Sequence, residues 1–474
     1  MKLSLYHSQT QVWVMSLVFF FTAGSYYTLT GMGGGGLDAS DSSVSSNANT
    51  ALYVSAAVMG LAAGSVNNVL GPRLSCLIGG VTVGLYIASL MSYSIIHSSA
   101  VVIVAGAIMG LGQALLSTAG GAVTSGYPSP AKKGQAAAIY LCLFNLSGVI
   151  GGVIPFITHF SEVHSANGSA IADSVEASKS SSIATFMAFL GLVGFGCLTS
   201  LLLMPPGRLI RDDGFPVTIC KPEHGKPSKG LQALVHEVTG IRSILKLPKT
   251  WVAAPMFLSI TCYYAYQFNG FNLELFNART RGLNNVCYRL FAIGTSVAVG
   301  RFMDSNRLSK LRRLQCIVAV LAVINVATWL GALFVQRAFK SGSDGYRNID
   351  VTDPTYRYLW LIFSGWGVLD ASLNVLGLWI VACLSSDATE SSRYAGFLAA
   401  MQFLSSAIYW QMDAQKLNNY IFLALTFAII MVGLTSAFAT GFWIKAQDDL
   451  QLKEKQLDTA SQESSLTFED TSSL

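Results

Sequence analysis

The chain has 474 residues, of which 52% are hydrophobic and 12% charged, and its mean hydropathy is +0.49. A soluble domain carries about 25% charged residues, so this composition excludes an ordinary soluble enzyme, and the chain also lacks the charge, Gly period or heptads of a disordered chain, a collagen or a coiled coil. What remains is a polytopic membrane protein, and the net charge of +5 is spread too thinly over apolar sequence to make the dense basic face that nucleic acid requires.

A bilayer core about 30 Å thick takes about 20 apolar residues per helix. In chain order, apolar runs bounded by polar breaks predict six spans near 11–31, 50–70, 74–92, 100–121, 135–160 and 183–204. A basic polar stretch over 205–248 follows, and then six more spans near 251–271, 285–303, 314–334, 357–384, 394–410 and 418–444. The first run has a single Lys before it and no clean cleavage site after it, so it is expected to stay as a helix rather than act as a secretory signal. The organisation is therefore an N-terminal six-helix half (1–204), a linker (205–248), a C-terminal six-helix half (249–446) and a Ser-rich acidic tail (447–474) expected to be disordered.

Short cytoplasmic loops collect Lys and Arg. Sorting the thirty Lys and Arg onto alternate sides puts 21 with both termini and the linker and 8 on the other side, with Arg289 left inside a span. This places both termini in the cytoplasm, at the plasma membrane or an endomembrane. The sequon at Asn167 then falls in an outer loop, where glycosylation is expected. The eight cysteines are scattered without metal spacing and read as small hydrophobes, with structural zinc or disulfides as the remote alternative.

The loop between the second and third spans of each half carries a degenerate Gly-x-x-x-acid-x-x-Gly-x-Arg pattern. In the first half it is Gly64, Asn68 in the acidic place, Gly71 and Arg73; in the second it is Gly300, Asp304 and then Arg312 and Arg313 without the later Gly. Such a loop lets helices approach at Gly and ties their cytoplasmic ends together by charge, although Arg73, Arg312 and Arg313 also satisfy the positive-inside rule alone. Six spans, a basic loop and six more, with this motif in both halves, resemble the major facilitator superfamily, whose halves are parallel repeats. The expected fold is thus an all-α membrane protein, twelve transmembrane helices in two six-helix bundles. The run Gly33 to Gly36 lacks the Lys of a phosphate-binding loop and reads as an outer turn.

More local runs are similar to the uncoordinated-ninety-three (Unc-ninety-three) family, in the branch common in fungi. They are Gly31-Met-Gly-Gly-Gly-Gly36, Asn49-Thr-Ala-Leu-Tyr53, Leu70-Gly-Pro-Arg-Leu74, Leu85-Tyr-Ile-Ala-Ser-Leu90 and Phe144-Asn-Leu-Ser-Gly-Val-Ile-Gly151 in the first half. In the second half, Tyr266-Gln-Phe-Asn269, Phe276-Asn-Ala-Arg-Thr-Arg281 and Leu283-Asn-Asn285 are the most specific. The resemblance runs from about Gln11 to Lys445 and implies a major-facilitator fold described as transporter-like or ion-channel-regulatory. Two places depart from the family pattern: Trp410-Gln-Met-Asp413 for Trp-Arg-x-Asp, and Phe21-Thr-Ala-Gly24 for Cys-Cys-Pro-Gly. Roles of those side chains are not carried over.

Charges inside a bilayer are costly and are usually functional or paired. Asp370 lies mid-way along the tenth span and Arg289 about one turn into the eighth, which puts them roughly 13 Å apart in height. Asp370 reads as a proton-carrying or cation-binding carboxylate, or else as one half of a structural ion pair with Arg289 or an Asp hydrogen-bonded to neighbouring helices. Span seven crowds Tyr263, Tyr264, Tyr266, Gln267 and Asn269 near one helix end, a set suited either to an organic ligand or to an interfacial aromatic belt. Tyr26, Tyr27, Gln113 and Asn145 are the polar residues within spans of the first half, as cavity candidates or as helix glue. No nucleophile-base-acid arrangement or metal motif is found, so no enzyme activity, metal or cofactor is expected. The expected function is transport of a small organic solute or ion across the bilayer, and the alternative is a non-transporting membrane protein that regulates or escorts an ion channel or another membrane protein.

Overall fold

The computed structural model describes residues 4–31, 42–158, 171–217, 239–338 and 349–471. The first span is split into α1 (Ser8–Phe21) and α2 (Ala23–Gly31), bent by 42° at Thr22, whose φ of −98° and ψ of −86° are not helical. Backbone groups in lipid must be satisfied internally, and here Val18 O accepts from both Thr22 N at 2.9 Å and Thr22 Oγ1 at 2.6 Å.

The next helix, α3 (Ser42–Ile96), has 55 residues. At 1.5 Å per residue it is roughly 80 Å long, more than twice the bilayer core, so it makes two crossings. The hinge is Gly71, at φ 78° and ψ 164°, followed by Pro72. A positive φ suits Gly, and Pro disfavours a helical residue before it. The two legs therefore separate where the loop motif expects a break.

The first half closes with α4 (Ser99–Gly126), α5 (Lys133–Thr158) and α6 (Ile171–Ser200). Beyond α6 the chain folds back on its own beginning. Gln11 binds Leu202 O and Met204 N, Ser8 N donates to Ile210 O at 3.0 Å, and Lys132 pairs with Asp212 at 2.7 Å. The start of the linker is thus pinned to the N-terminus and to the head of α5.

The second half opens with α7 (Pro248–Leu258), which gives way after Pro255 to a bend and then to a π-helical segment over Tyr266–Leu273. It continues through α8 (Ala278–Asp304), α9 (Lys310–Ala338), α10 (Tyr356–Leu384), α11 (Ala388–Ala414) and α12 (Asn419–Thr471). The last helix runs on where the sequence suggested a disordered tail from Gln447. Gln, Leu, Lys and Glu dominate 449–457, and these residues propagate a helix readily.

Among the described residues, six helices are long and apolar enough to cross a membrane, the double-length α3 counted once, and α1 with α2 qualifies as a broken span. Burial separates inner from outer helices. In α10, 83% of the most apolar window is buried, against 39% in α9. Val58, Val323, Phe334 and Leu361 point outward, as lipid-facing side chains do.

The two halves meet along two seams, the first leg of α3 against α11 and α5 against α8. In the second seam a Cβ on Gly300 would lie 2.6 Å from Gly134 O, so neither position admits a larger residue without parting the helices.

Candidate functional site

A partly open cavity lies between the halves. Its walls come from α1 and α2 (Phe19, Tyr27), α4 (Gln113, Ser117), α5 (Tyr140, Phe144), the bend after α7 (Thr261, Tyr264), α10 (Asn374) and α11 (Gln402, Phe403). It sits beside the breaks in the first and seventh spans, which occupy corresponding positions in the two halves. Paired interruptions of that kind mark midplane binding sites in transporters built from repeats.

Asp370 lies immediately behind this wall, 2% exposed. Its Oδ1 accepts from Tyr263 at 2.8 Å, Tyr264 at 2.7 Å and Asn374 Nδ2 at 2.9 Å. Two of the three donors, Tyr264 and Asn374, also line the cavity. Asn374 stands one helical turn after Asp370, so its side chain shares the same face.

Arg289, also 2% exposed, donates from Nη1 to Asn145 Oδ1 across the seam at 3.1 Å. Its guanidinium lies 5.3 Å from the ring centre of Tyr288, 5.9 Å from Phe144 and 6.0 Å from Phe268. Arg289 and Asp370 form no ion pair within 4 Å: Arg289 reaches Asn145 of α5, and Asp370 accepts from Tyr263 and Tyr264 of the seventh span.

The remaining sequence candidates separate into different places. Tyr27, Gln113 and Tyr264 line the cavity. Tyr26 donates to Asn49 at 2.8 Å and Tyr53 at 3.3 Å inside the first half. Tyr266 packs against Trp329 and Trp366, Gln267 accepts from Tyr288 at 3.2 Å, and both belong to the core of the second half. Asn269 reaches Asp413 at 2.7 Å, and Ser46 of the first half binds the same Asp413 oxygen at 2.6 Å. That cluster bridges the halves at the end away from the linker. Asn167 lies outside the described residues.

The sequence model of the major facilitator superfamily matches residues 12–410. The chain is 35% identical over 408 residues to UNC93-like protein 1 of Arabidopsis thaliana, covering 86% of this chain and 84% of that protein. It is 32% identical over 435 residues to an UNC93-like protein of Schizosaccharomyces pombe, covering 90% and 81%. The chain belongs to the major facilitator superfamily, among the UNC93-like proteins. In fold it resembles the Escherichia coli fucose:proton symporter FucP, with a TM-score of 0.58 at 11% identity over 90% of this chain and 98% of that one. The human organic anion transporter MFSD10 gives a TM-score of 0.53 at 13% identity over 92% and 98%. At such identities the likeness concerns architecture alone. The protein is an integral, multi-pass membrane protein with the fold of a transporter.

The superfamily loop motif acts here mostly through backbone partners. Asp304 accepts from Gly134 N at 2.8 Å and Gln135 N at 2.7 Å, at the N-terminus of α5. Arg313 donates to Met303 O, Arg73 donates to Leu203 O at 3.1 Å, and Arg312 is exposed. In the first copy Ser392 Oγ donates to Gly64 O at 3.0 Å, and Asn68 Nδ2 donates to Thr389 O at 3.3 Å. The charge pairs expected within the motif are replaced by hydrogen bonds to main-chain groups of the opposite half or of neighbouring loops.

Sequence reasoning passed over Ser117, Asn374, Gln402 and the rings of Phe19, Tyr140 and Phe403. Asn374 carried a signal in its four-residue spacing from Asp370, as did Ser117 in its spacing from Gln113. The rings carried none, since an aromatic in an apolar helix faces lipid, core or cavity with the same sequence appearance.

Proposed function

We propose that the chain carries a small solute or ion through the bilayer by rocking its two halves so that the midplane cavity opens to each face in turn, with the linker and both termini cytoplasmic. The excess of Lys and Arg on the linker side supports the orientation. The observation that carries the mechanism is that Tyr264 and Asn374 each touch Asp370 and line the cavity.

Asp370 is the proton-carrying group in this reading. Ionised, a carboxylate only accepts hydrogen bonds, and three donors converge on one Asp370 oxygen; protonated, it gains a donor and loses accepting capacity. A proton on Asp370 therefore releases one of its donors, and release of Tyr264 or Asn374 alters the cavity wall. Solute binding and proton uptake are linked through those two side chains.

The test is reconstitution in vesicles with a trapped pH-sensitive dye. A transported solute is expected to move protons with it, and Asp370→Asn is expected to abolish proton-driven accumulation while leaving solute exchange. Accumulation that survives Asp370→Asn removes the proton role.

A further inference from the structure

We infer that the midplane cavity takes an uncharged solute: a ring-bearing compound with an apolar face and at least one hydroxyl or amide donor. This rests on the reading that the cavity is the transport site.

Among the described residues, the lining contains no Asp, Glu, Lys, Arg or His. A charged solute drawn out of water to this depth needs a fixed opposite charge or a full set of polar partners. The two nearby charges do not supply one. Asp370 already accepts three hydrogen bonds, and Arg289, with Nη1 on Asn145 and Nε without a hydrogen-bond partner, lies near the Phe144 ring and is not itself part of the wall.

What the cavity does offer is neutral. Rings from five elements give flat apolar surface for stacking or edge contact. Gln113 is fully buried; its Nε2 donates to Ser117 Oγ at 3.3 Å, while its Oε1 has no hydrogen-bond partner although the Tyr27 hydroxyl stands close by. Gln113, Ser117, Asn374 and Gln402 on this wall are neutral polar side chains that can pair with a donor on the solute.

The test uses three probes that share one framework and differ in charge at one position: phenyl β-glucoside, phenyl β-glucuronide and the 6-amino-6-deoxy analogue of the glucoside. Binding to the purified full-length chain in nanodiscs is read by calorimetry. The glucoside is expected to bind at least about tenfold more tightly than either charged probe, and Gln113→Leu to weaken it by roughly tenfold. Gln113→Glu is expected to shift preference toward the amine, which keeps the inference testable if the Leu variant does not fold. Equal or tighter binding of a charged probe to the unaltered chain overturns the inference, as does binding of none of the three. Selective glucoside binding without flux in vesicles supports the solute class and removes the transport reading. Flux confined to a charged probe removes the class and leaves transport standing.

Discussion

The two seams at the linker end perform one task with different chemistry. At that end, hydrogen bonds between neutral groups join the first leg of α3 to α11. Asn67 Nδ2 donates to Ser392 Oγ at 3.0 Å, Asn68 to Thr389 O at 3.3 Å, and Ser392 Oγ to Gly64 O at 3.0 Å. Between α5 and α8, the Asp304 carboxylate takes two N–H groups at a helix N-terminus, where the helix dipole favours negative charge. A neutral hydrogen bond contributes about 0.5–1.5 kcal/mol net and one to a charged group about 1.5–3 kcal/mol. The second seam is therefore the stronger latch, and the difference traces to one position of a repeated motif, where Asn68 stands opposite Asp304.

The largest test of that comparison is Asp304→Ala. It removes both charge-assisted bonds, and with the Gln135 bond exposed to water the net weakening is expected to be about 2 kcal/mol, or roughly thirtyfold in the closed-to-open ratio. Spin labels at the linker ends of α5 and α8 should report a longer distance; an unchanged distribution shows that Asp304 is not a latch. Gly300→Val should act in the same direction by steric means, destabilising the closed seam by about 1–3 kcal/mol, read as a lower melting temperature and a wider seam.

A smaller effect distinguishes the two copies of the motif. At the head of α11 the N–H groups of Thr389 and Glu390 are already held by Asp387 at 2.7 and 2.9 Å. Asn68→Asp removes the donor to the Thr389 carbonyl, and it is expected to weaken the first seam by about 1 kcal/mol. If it strengthens that seam, the asymmetry is not chemical in the way proposed.

The smallest effect at neutral pH comes from a latch at the other end. Asp350 binds Asn277 Nδ2 at 2.6 Å, the Arg279 guanidinium and Thr352 N at 3.0 Å. Partial burial works against its charge, but those donors outweigh it and hold the carboxyl down at about 2. A depressed carboxyl contributes stability that is complete above its unfolded value near 4 and is lost as pH falls toward 2. Thermal unfolding should therefore show no dependence on Asp350 between pH 5 and 8, and Asp350→Asn should flatten the acid limb between about pH 4 and 2.

Much of the architecture was legible because hydropathy is a local property. Apolar runs long enough to span a bilayer marked the crossings, and Gly71-Pro72 marked the hinge in α3 through backbone sterics that need no partner. Asp370 stood out for the same reason, since the cost of a charge in an apolar run is visible in the run itself. Its partners were less legible. Tyr263 and Tyr264 were noted as a cluster, but whether they formed an interfacial belt or a site depended on α10 lying against the bend after α7. The start of α8 was read late, near 285 instead of Ala278, because polar Arg281, Asn284 and Asn285 hid its first two turns from a hydropathy reading. Asn269 belonged to a rim cluster with Ser46 and Asp413, a grouping that joins residues more than 350 positions apart in sequence.

The sequence by itself determined a polytopic helical protein of two repeated halves, and the two buried charges that topology does not explain. Each follows from the cost of exposing polar groups to lipid, which every segment meets alone. Only the tertiary structure decided which side chains line the cavity, where the first and seventh spans break, that Asp304 caps a helix of the other half, and that Arg289 bonds Asn145 while Asp370 bonds Tyr263 and Tyr264. Those outcomes depend on which helix faces which, and a helix of apolar residues with a few amides and rings is compatible with several neighbours until packing selects one.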